Sequence, residues 1–222
     1  MSRAFIPSEH CRRIQPVNPV RRDSSLGNTG DKALESATRE ADHQSGQFEY
    51  RGFSELFGYW SSARNGAAIP SLKDFDLLSF PHLLPDMGIS EVRSPTDIHI
   101  RFMGTAIVER FGYDPTGKNS LLNQPEERRD AVGRWYALLV SHPCGGLARF
   151  TNIYSSGREV VAESLFLPLQ GESQRCFVSL ARMTEFLNWQ TVSSLTVTAA
   201  RVLDFVWIDL GLGVPAIDQS IV

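Results

Sequence analysis

The sequence predicts an α+β protein in which an antiparallel sheet of about five strands has helices inserted between its second and third strands. Three observations lead to this prediction. Apolar residues follow a helical spacing in residues 53–60 and 131–139, and they alternate with polar residues in 98–103. Three more strand-like runs follow in 147–183, separated by short polar turns. With 222 residues, 42% of them hydrophobic, the chain can form one core.

The amino-terminal residues 1–47 have a composition unlike the rest. They contain one aromatic residue, Phe5, among many polar and charged residues, so we expect a disordered arm. The net charge of −3 gives no basic surface for nucleic acid. The arm has no apolar run typical of a signal peptide, and the three cysteines form no disulfide or metal-binding pattern, so we expect a cytoplasmic protein.

The predicted domain, residues 48–188, begins with an amphipathic helix. Its apolar stripe has the spacing i, i+3, i+4, i+7 and consists of Phe53, Leu56, Phe57 and Trp60. A flanking helix of this kind either covers the outer face of a sheet in its own chain or pairs with its copy. Of these two uses we expect pairing in a homodimer.

The remaining elements of the domain follow from local spacing and turn residues. A turn at Arg93-Ser94-Pro95 separates two short strands that we expect to form a β-hairpin. Gly112 ends a short helix, and Pro125 opens a longer helix. The last three strands cover about 147–154, 160–169 and 176–183.

Residues 189–222 form an apolar carboxy-terminal extension. The run 197–212 fits a strand and a helix about equally well, so its type stays open. A bilayer would have to bury Arg201, Asp204 and Asp209, and we therefore expect no membrane span. We expect the extension to pack on the domain or on a partner.

Several short motifs in residues 53–186 resemble a bacterial PAS-type family, PAS family five. They occur in the family's order and comprise Tyr59-Trp60, Ile69-Pro70-Ser71, Asp74-Phe75-Asp76, Leu84-Pro85, Arg101 to Ala106 and Phe111 to Gly117. The resemblance implies a PAS-like five-stranded sheet and a sensory or protein-interaction module, often with a small-molecule cavity between helices and sheet. It implies no reaction, so we do not expect an enzyme. PAS domains usually adjoin an output domain, for which this chain has no room, and we expect output through a separate signalling protein.

A cavity under a curved sheet would be lined by apolar side chains from the helices and strands. The candidates are Phe102, Ile107, Phe111, Trp135, Leu139, Phe150 and Leu165. Arg101 and Asn152 are candidate polar groups at its edge. The alternative that these apolar residues simply fill a core stays open.

The stretch Gly112 to Asn119 comes within one residue of a phosphate-binding P-loop. Asn119 stands where a Ser or Thr hydroxyl would hold Mg²⁺, and a helix is predicted where a P-loop follows a strand.

The sequence as a whole leaves three hypotheses for the function. The first, which we favour, is a stand-alone PAS-type sensory module that binds a small ligand or a protein partner. The second is a structural adaptor without a ligand, and the third is a nucleotide-binding enzyme that uses the P-loop-like turn.

The cofactor signatures of PAS domains are incomplete here. Residues 117–124 resemble the flavin-binding signature of light-sensing PAS domains, but Ser120 and Leu121 replace its cysteine and arginine. His142 ends the helix that carries the axial histidine in haem-binding PAS domains, yet a histidine there also suits the helix dipole. We expect neither a covalent flavin adduct nor haem nor a metal, and any other cofactor stays unknown.

Overall fold

The computed structural model describes residues 48–184 and 197–216, so the arm predicted for 1–47 lies outside the described residues. The elements follow in the order α1 (Arg51–Ala63), β1 (Met87–Ser94), β2 (Asp97–Met103), α2 (Thr105–Phe111), α3 (Glu126–Ser141), β3 (Gly145–Tyr154), β4 (Glu159–Gln170), β5 (Arg175–Met183) and β6 (Val197–Ile208). Single 3₁₀ turns occur at Leu72–Asp74, Leu77–Ser79, Leu84–Asp86 and Ser120–Asn123.

The strands form one antiparallel sheet in the order β2-β1-β5-β4-β3-β6. The predicted α+β class is confirmed, with α2 and α3 inserted between the second and third strands. Residues 197–208, whose type the sequence left open, pair with β3 from Gly145 to Tyr154 and add a sixth strand. The sheet therefore extends past the five predicted strands on its β3 side.

Helix α1 covers one face of the sheet, which we call the outer face. The four stripe residues are at most 2% exposed and pack with Leu165, Leu167 and Leu169 of β4. The Trp60 indole N–H also donates to the Pro168 carbonyl oxygen at 2.8 Å. This corrects our expectation that the stripe pairs two copies, because its apolar surface is already buried within its own chain.

Helix α3 covers the opposite, inner face and packs very closely on the β1–β2 turn. Gly133 lies against Pro95, so that a Cβ atom at position 133 would overlap the Pro95 carbonyl oxygen. Only glycine allows this approach, and the approach sets the distance between α3 and the sheet.

The variant Gly133→Ala is expected to lower the free energy of unfolding by about 1–3 kcal/mol, because the helix must move away from the turn. The matched control is Gly58→Ala in α1, where a Cβ atom would meet nothing within 4 Å. This control is expected to raise stability by about 0.5–1 kcal/mol, as alanine favours helix over glycine. Urea denaturation of both variants measures the difference, and equal effects would contradict the packing described.

Candidate functional site

A cavity of about 160 Å³ lies between the inner face of the sheet and helices α2 and α3. Its walls come from both helices, from the Ser120–Asn123 turn and from all six strands. An apolar protein cavity of about 150 Å³ holds a benzene molecule. The space therefore suits a small organic molecule.

The cavity exists because the inner face of the sheet carries several small side chains. These residues are Ser90, Ala148, Ala162, Ser164, Ser179, Ala181 and Ala200. Aromatic side chains surround them: Trp135 contacts Phe166 at 5.1 Å and Phe205 at 5.6 Å between ring centroids. Tyr136 stacks on Phe177 at 4.8 Å. The rings hold the helices away from the short side chains and leave the space unfilled.

Five of the nine residues that the sequence suggested for a cavity lie around it. They are Ile107, Phe111, Trp135, Phe150 and Asn152. The structure places the other four elsewhere: Phe102, Leu139, Leu165 and Arg101. The first group agrees in position with the prediction, while a role in ligand binding stays a prediction.

Phe102 and Arg101 lie away from the cavity because β2 contains a bulge. Ile89 pairs with Phe102 and Ser90 pairs with Ile100, so Arg101 is an extra residue. Phe102 consequently packs with the α1 core on the outer face. Arg101 donates to a carboxylate oxygen of Glu91 at 2.6 Å. Strict alternation assigned Phe102 to the inner face, and a one-residue bulge reverses that assignment.

Leu165 and Leu139 are fully buried core residues. Leu165 faces α1, while its neighbours Ser164 and Phe166 line the cavity. Both faces of β4 are apolar, so hydrophobicity alone did not distinguish them. Leu139 lies one turn beyond Trp135 on α3 and packs in the core between α3 and the sheet.

Three buried polar atoms in the cavity wall have no hydrogen-bond partner in the described part of the chain. They are Ser120 Oγ, Gln124 Oε1 and the Trp135 indole Nε1. All three residues line the cavity. An unpaired buried polar group costs about 1–3 kcal/mol, so such groups usually have a partner. The unpaired atoms are thus a hydroxyl, an acceptor and an N–H donor, each buried within a residue of the cavity wall.

Sequence reasoning missed Gln124 as a site residue and considered Ser120 only as a substitute for cysteine. The signal for both was their place in the stretch 117–124, which resembles a flavin-binding signature. That stretch supplies one wall of the cavity here, although its cysteine and arginine are replaced.

Arg110 is the one charged residue among the described residues that line the cavity. It lies in the last turn of α2, is 9% exposed, and donates from Nη2 to Asp86 Oδ1 at 2.8 Å. Burial raises the pKa of the nearby Tyr154 phenol, and the positive charge of Arg110 opposes that rise. In the sequence, Arg110 follows Ile107 by three residues, a spacing that places both on the same face of a helix.

Residues 49–181 carry the sequence pattern of a known domain family. A sequence profile described as PAS domain matches residues 49–181, more than half of the chain. The chain belongs to the PAS domain family. The predicted membership is confirmed, and in general terms the chain is a sensory module.

A solved structure shows a weak resemblance to this chain. A solved chain from a study of a fungal LOV domain photoreceptor is 16% identical to this PAS protein, with a TM-score of 0.35. The match covers 55% of this chain and 96% of the solved one. No curated protein matches the sequence.

The P-loop-like stretch of this PAS domain has the geometry of a turn. It follows the α-helix Thr105–Phe111, and Gly112 ends that helix in the left-handed conformation with φ 71°. The Lys118 ammonium lies 4.4 Å from the centre of the Tyr113 ring, and the Asn119 side chain accepts from the Leu121 N–H. These side chains stabilise the turn, and the element directly before it is a helix, whereas a P-loop directly follows a strand.

The structure also bears on three expectations: those for a haem ligand, for a metal site and for a membrane span. His142 is exposed at the carboxyl end of α3 and does not line the cavity. In the ranges 48–184 and 197–216, no group of three or more His, Cys, Asp or Glu residues could hold a metal ion. Within the same ranges, no helix is both long and apolar enough to span a bilayer.

Cys144 makes the stability of the PAS domain depend on pH. The pKa of its thiol is raised from 9.0 to about 12, mainly by burial and to a smaller extent by the negative charge of Asp209. The unfolded chain ionises this thiol near pH 9 while the folded chain does not, so stability falls as pH rises from 9 towards 12. As pH rises from 8 to 10, we expect ionisation of this thiol in the unfolded chain to lower the free energy of unfolding by about 1 kcal/mol. Urea denaturation at the two pH values should show a smaller decrease in Cys144→Ala; an unchanged decrease would contradict the assignment.

Proposed function

We propose that this PAS domain senses a small, mostly apolar molecule that carries a polar group and binds in the inner-face cavity. The observation that supports this proposal is the set of three unpartnered buried atoms on Ser120, Gln124 and Trp135. Filling the space with an apolar core would leave all three unpaired at a cost. A ligand with a hydroxyl, amide or similar group satisfies them.

The shape and chemistry of the walls support an aromatic or compact aliphatic body for this ligand. The rings of Trp135, Phe166 and Phe205 form a continuous aromatic wall. An aromatic pair in offset or edge-to-face contact adds about 0.5–1.5 kcal/mol of stabilisation to that from burying its apolar surface. A ring of about benzene size makes these contacts and fits the volume.

The sixth strand provides a route from the cavity to the surface. Val202 and Phe205 of β6 line the cavity, while Leu203 and Val206 of the same strand are 45% and 37% exposed. A ligand that binds more tightly to one conformation of β6 increases the population of that conformation, and with it changes the exposed surface of the strand. In this proposal a separate cytoplasmic signalling protein or a second copy reads that surface.

A protein-interaction adaptor without a ligand is the second candidate function. The observation that favours it is the edge position of β6, which pairs only with β3 among the described residues. An edge strand with exposed apolar side chains can accept a further strand from a partner. An adaptor of this kind binds its partner equally well whether the cavity is filled or empty.

Thermal unfolding in the presence of neutral probes tests the sensory proposal. Phenol and toluene have the same size, but only phenol offers a hydroxyl to the unpartnered atoms. We expect both to raise the melting temperature, phenol more than toluene, and we expect Ser120→Ala to reduce the difference between them. If neither probe changes the melting temperature up to its solubility limit, the cavity does not bind molecules of this class.

A further inference from the structure

We infer that the ligand of the cavity carries a carboxylate group and that Arg110 binds it. This inference rests on the proposed function, because it names the chemical class of the molecule sensed. It follows from the position of Arg110, from its unused hydrogen-bond donors and from the charges of the groups around the cavity.

The charge of Arg110 is buried. Arg110 is 9% exposed, and the cavity is part of its surroundings. Taking a guanidinium out of water is costly unless anionic or polar groups replace the water. The side chain therefore needs more than an apolar wall on the cavity side.

The Arg110 guanidinium has more donors than its described hydrogen bond uses. An arginine side chain has five N–H groups, which match the two oxygens of a carboxylate. Within the described part of the chain its hydrogen bond is the one from Nη2 to Asp86 Oδ1, at 2.8 Å. Asp86 is 36% exposed and lies at the end of the Leu84–Asp86 turn. One monodentate partner leaves donors for a second anion.

The charges of the cavity wall also favour an anion. No Asp or Glu is among the described residues lining the cavity, and Asp86, which pairs with Arg110, lies outside this lining. Asn152, which is 7% exposed, lines the cavity and places its amide nitrogen 3.8 Å from the Met183 sulfur. Sulfur is a weak acceptor, so this amide forms a stronger hydrogen bond when it donates to an oxygen of the ligand. A small aromatic or branched aliphatic carboxylic acid combines these features with the apolar walls.

The test compares carboxylates with neutral isosteres by calorimetric titration at pH 7. Benzoate is paired with benzamide, and phenylacetate with phenylacetamide, because each pair differs in charge with little change of shape. We expect the carboxylate of each pair to bind at least about tenfold more tightly to the wild-type protein. Arg110→Met should abolish this preference while leaving the amide affinity within about threefold of wild type.

Two control variants separate binding from folding. Asp86→Asn removes the same ion pair as Arg110→Met but keeps the guanidinium, so the preference for carboxylate should be kept or should increase. Arg101→Met removes an arginine that pairs with Glu91 away from the cavity and should leave the preference unchanged. Loss of the preference in Asp86→Asn would assign the effect to folding and overturn the inference.

The remaining outcomes distinguish this inference from the proposed function. If neutral probes bind and the amides bind as tightly as the acids, the inference is wrong and the proposed function stands. If the preference for carboxylate persists in Arg110→Met, Arg110 is not the anion-binding residue. If neither acids nor neutral probes bind, the proposed function fails and the inference fails with it.

Discussion

Replacing Trp60 by alanine is expected to lower the free energy of unfolding by about 3–5 kcal/mol. The side chain is fully buried between α1 and the sheet, and its truncation opens a cavity in the outer-face core. It also removes the indole donor from the Pro168 carbonyl oxygen. We expect the variant to unfold at a much lower urea concentration than the wild type.

The variant Trp60→Phe separates volume from hydrogen bonding. It keeps an aromatic ring but loses the indole N–H, so we expect a loss of about 1–3 kcal/mol, smaller than that of Trp60→Ala. A Trp60→Ala protein as stable as the wild type would show that α1 does not cover the sheet. In that case the stripe would again be available for pairing two copies.

Replacing Ala181 by leucine is expected to abolish ligand binding and to raise the stability of the ligand-free protein. Ala181 lines the cavity from β5. The substitution adds three carbon atoms that occupy that space, each burying apolar surface worth about 0.8 kcal/mol when it fits. Calorimetric titration measures the first effect and urea denaturation the second.

The matched control is Ala199→Leu on β6. Ala199 is partly exposed and lies outside the cavity lining, so the same substitution adds the same volume without entering the cavity. We expect this control to bind probes as the wild type does. If Ala181→Leu binds phenol with wild-type affinity, the molecule does not occupy the inner-face cavity.

The parts of the fold that could be predicted are those controlled by local spacing. The stripe of α1 and the alternation in β2 follow the periods of a helix and a strand, and both elements form where expected. The type of β6 could not be predicted, because residues 197–208 are apolar at both spacings. Pairing with β3 decides it, and that contact joins residues about fifty positions apart.

The expected residues that line the cavity come from helices and from a strand: Ile107, Phe111, Trp135, Phe150 and Asn152. Helical spacing alone did not suffice, because Leu139 on α3 packs in the core instead. Phe102 was misplaced by a bulge, and Leu165 by a strand that is apolar on both faces.

The polar and charged groups of the cavity depend on tertiary contacts. Gln124 and Arg110 look like ordinary surface residues in the sequence, and only packing of the sheet against the helices buries them. Hydrophobic periodicity carries no information about such residues, since it predicts polar side chains to be exposed.

Native mass spectrometry of freshly purified protein tests most directly whether the cavity binds a small molecule. The wild type and Ala181→Leu are compared under gentle and then denaturing conditions. The account predicts an added mass on the order of 100 Da on the wild type that is lost on denaturation, and no added mass on Ala181→Leu. Sequence mass alone for both proteins, or the same added mass on both, would contradict it.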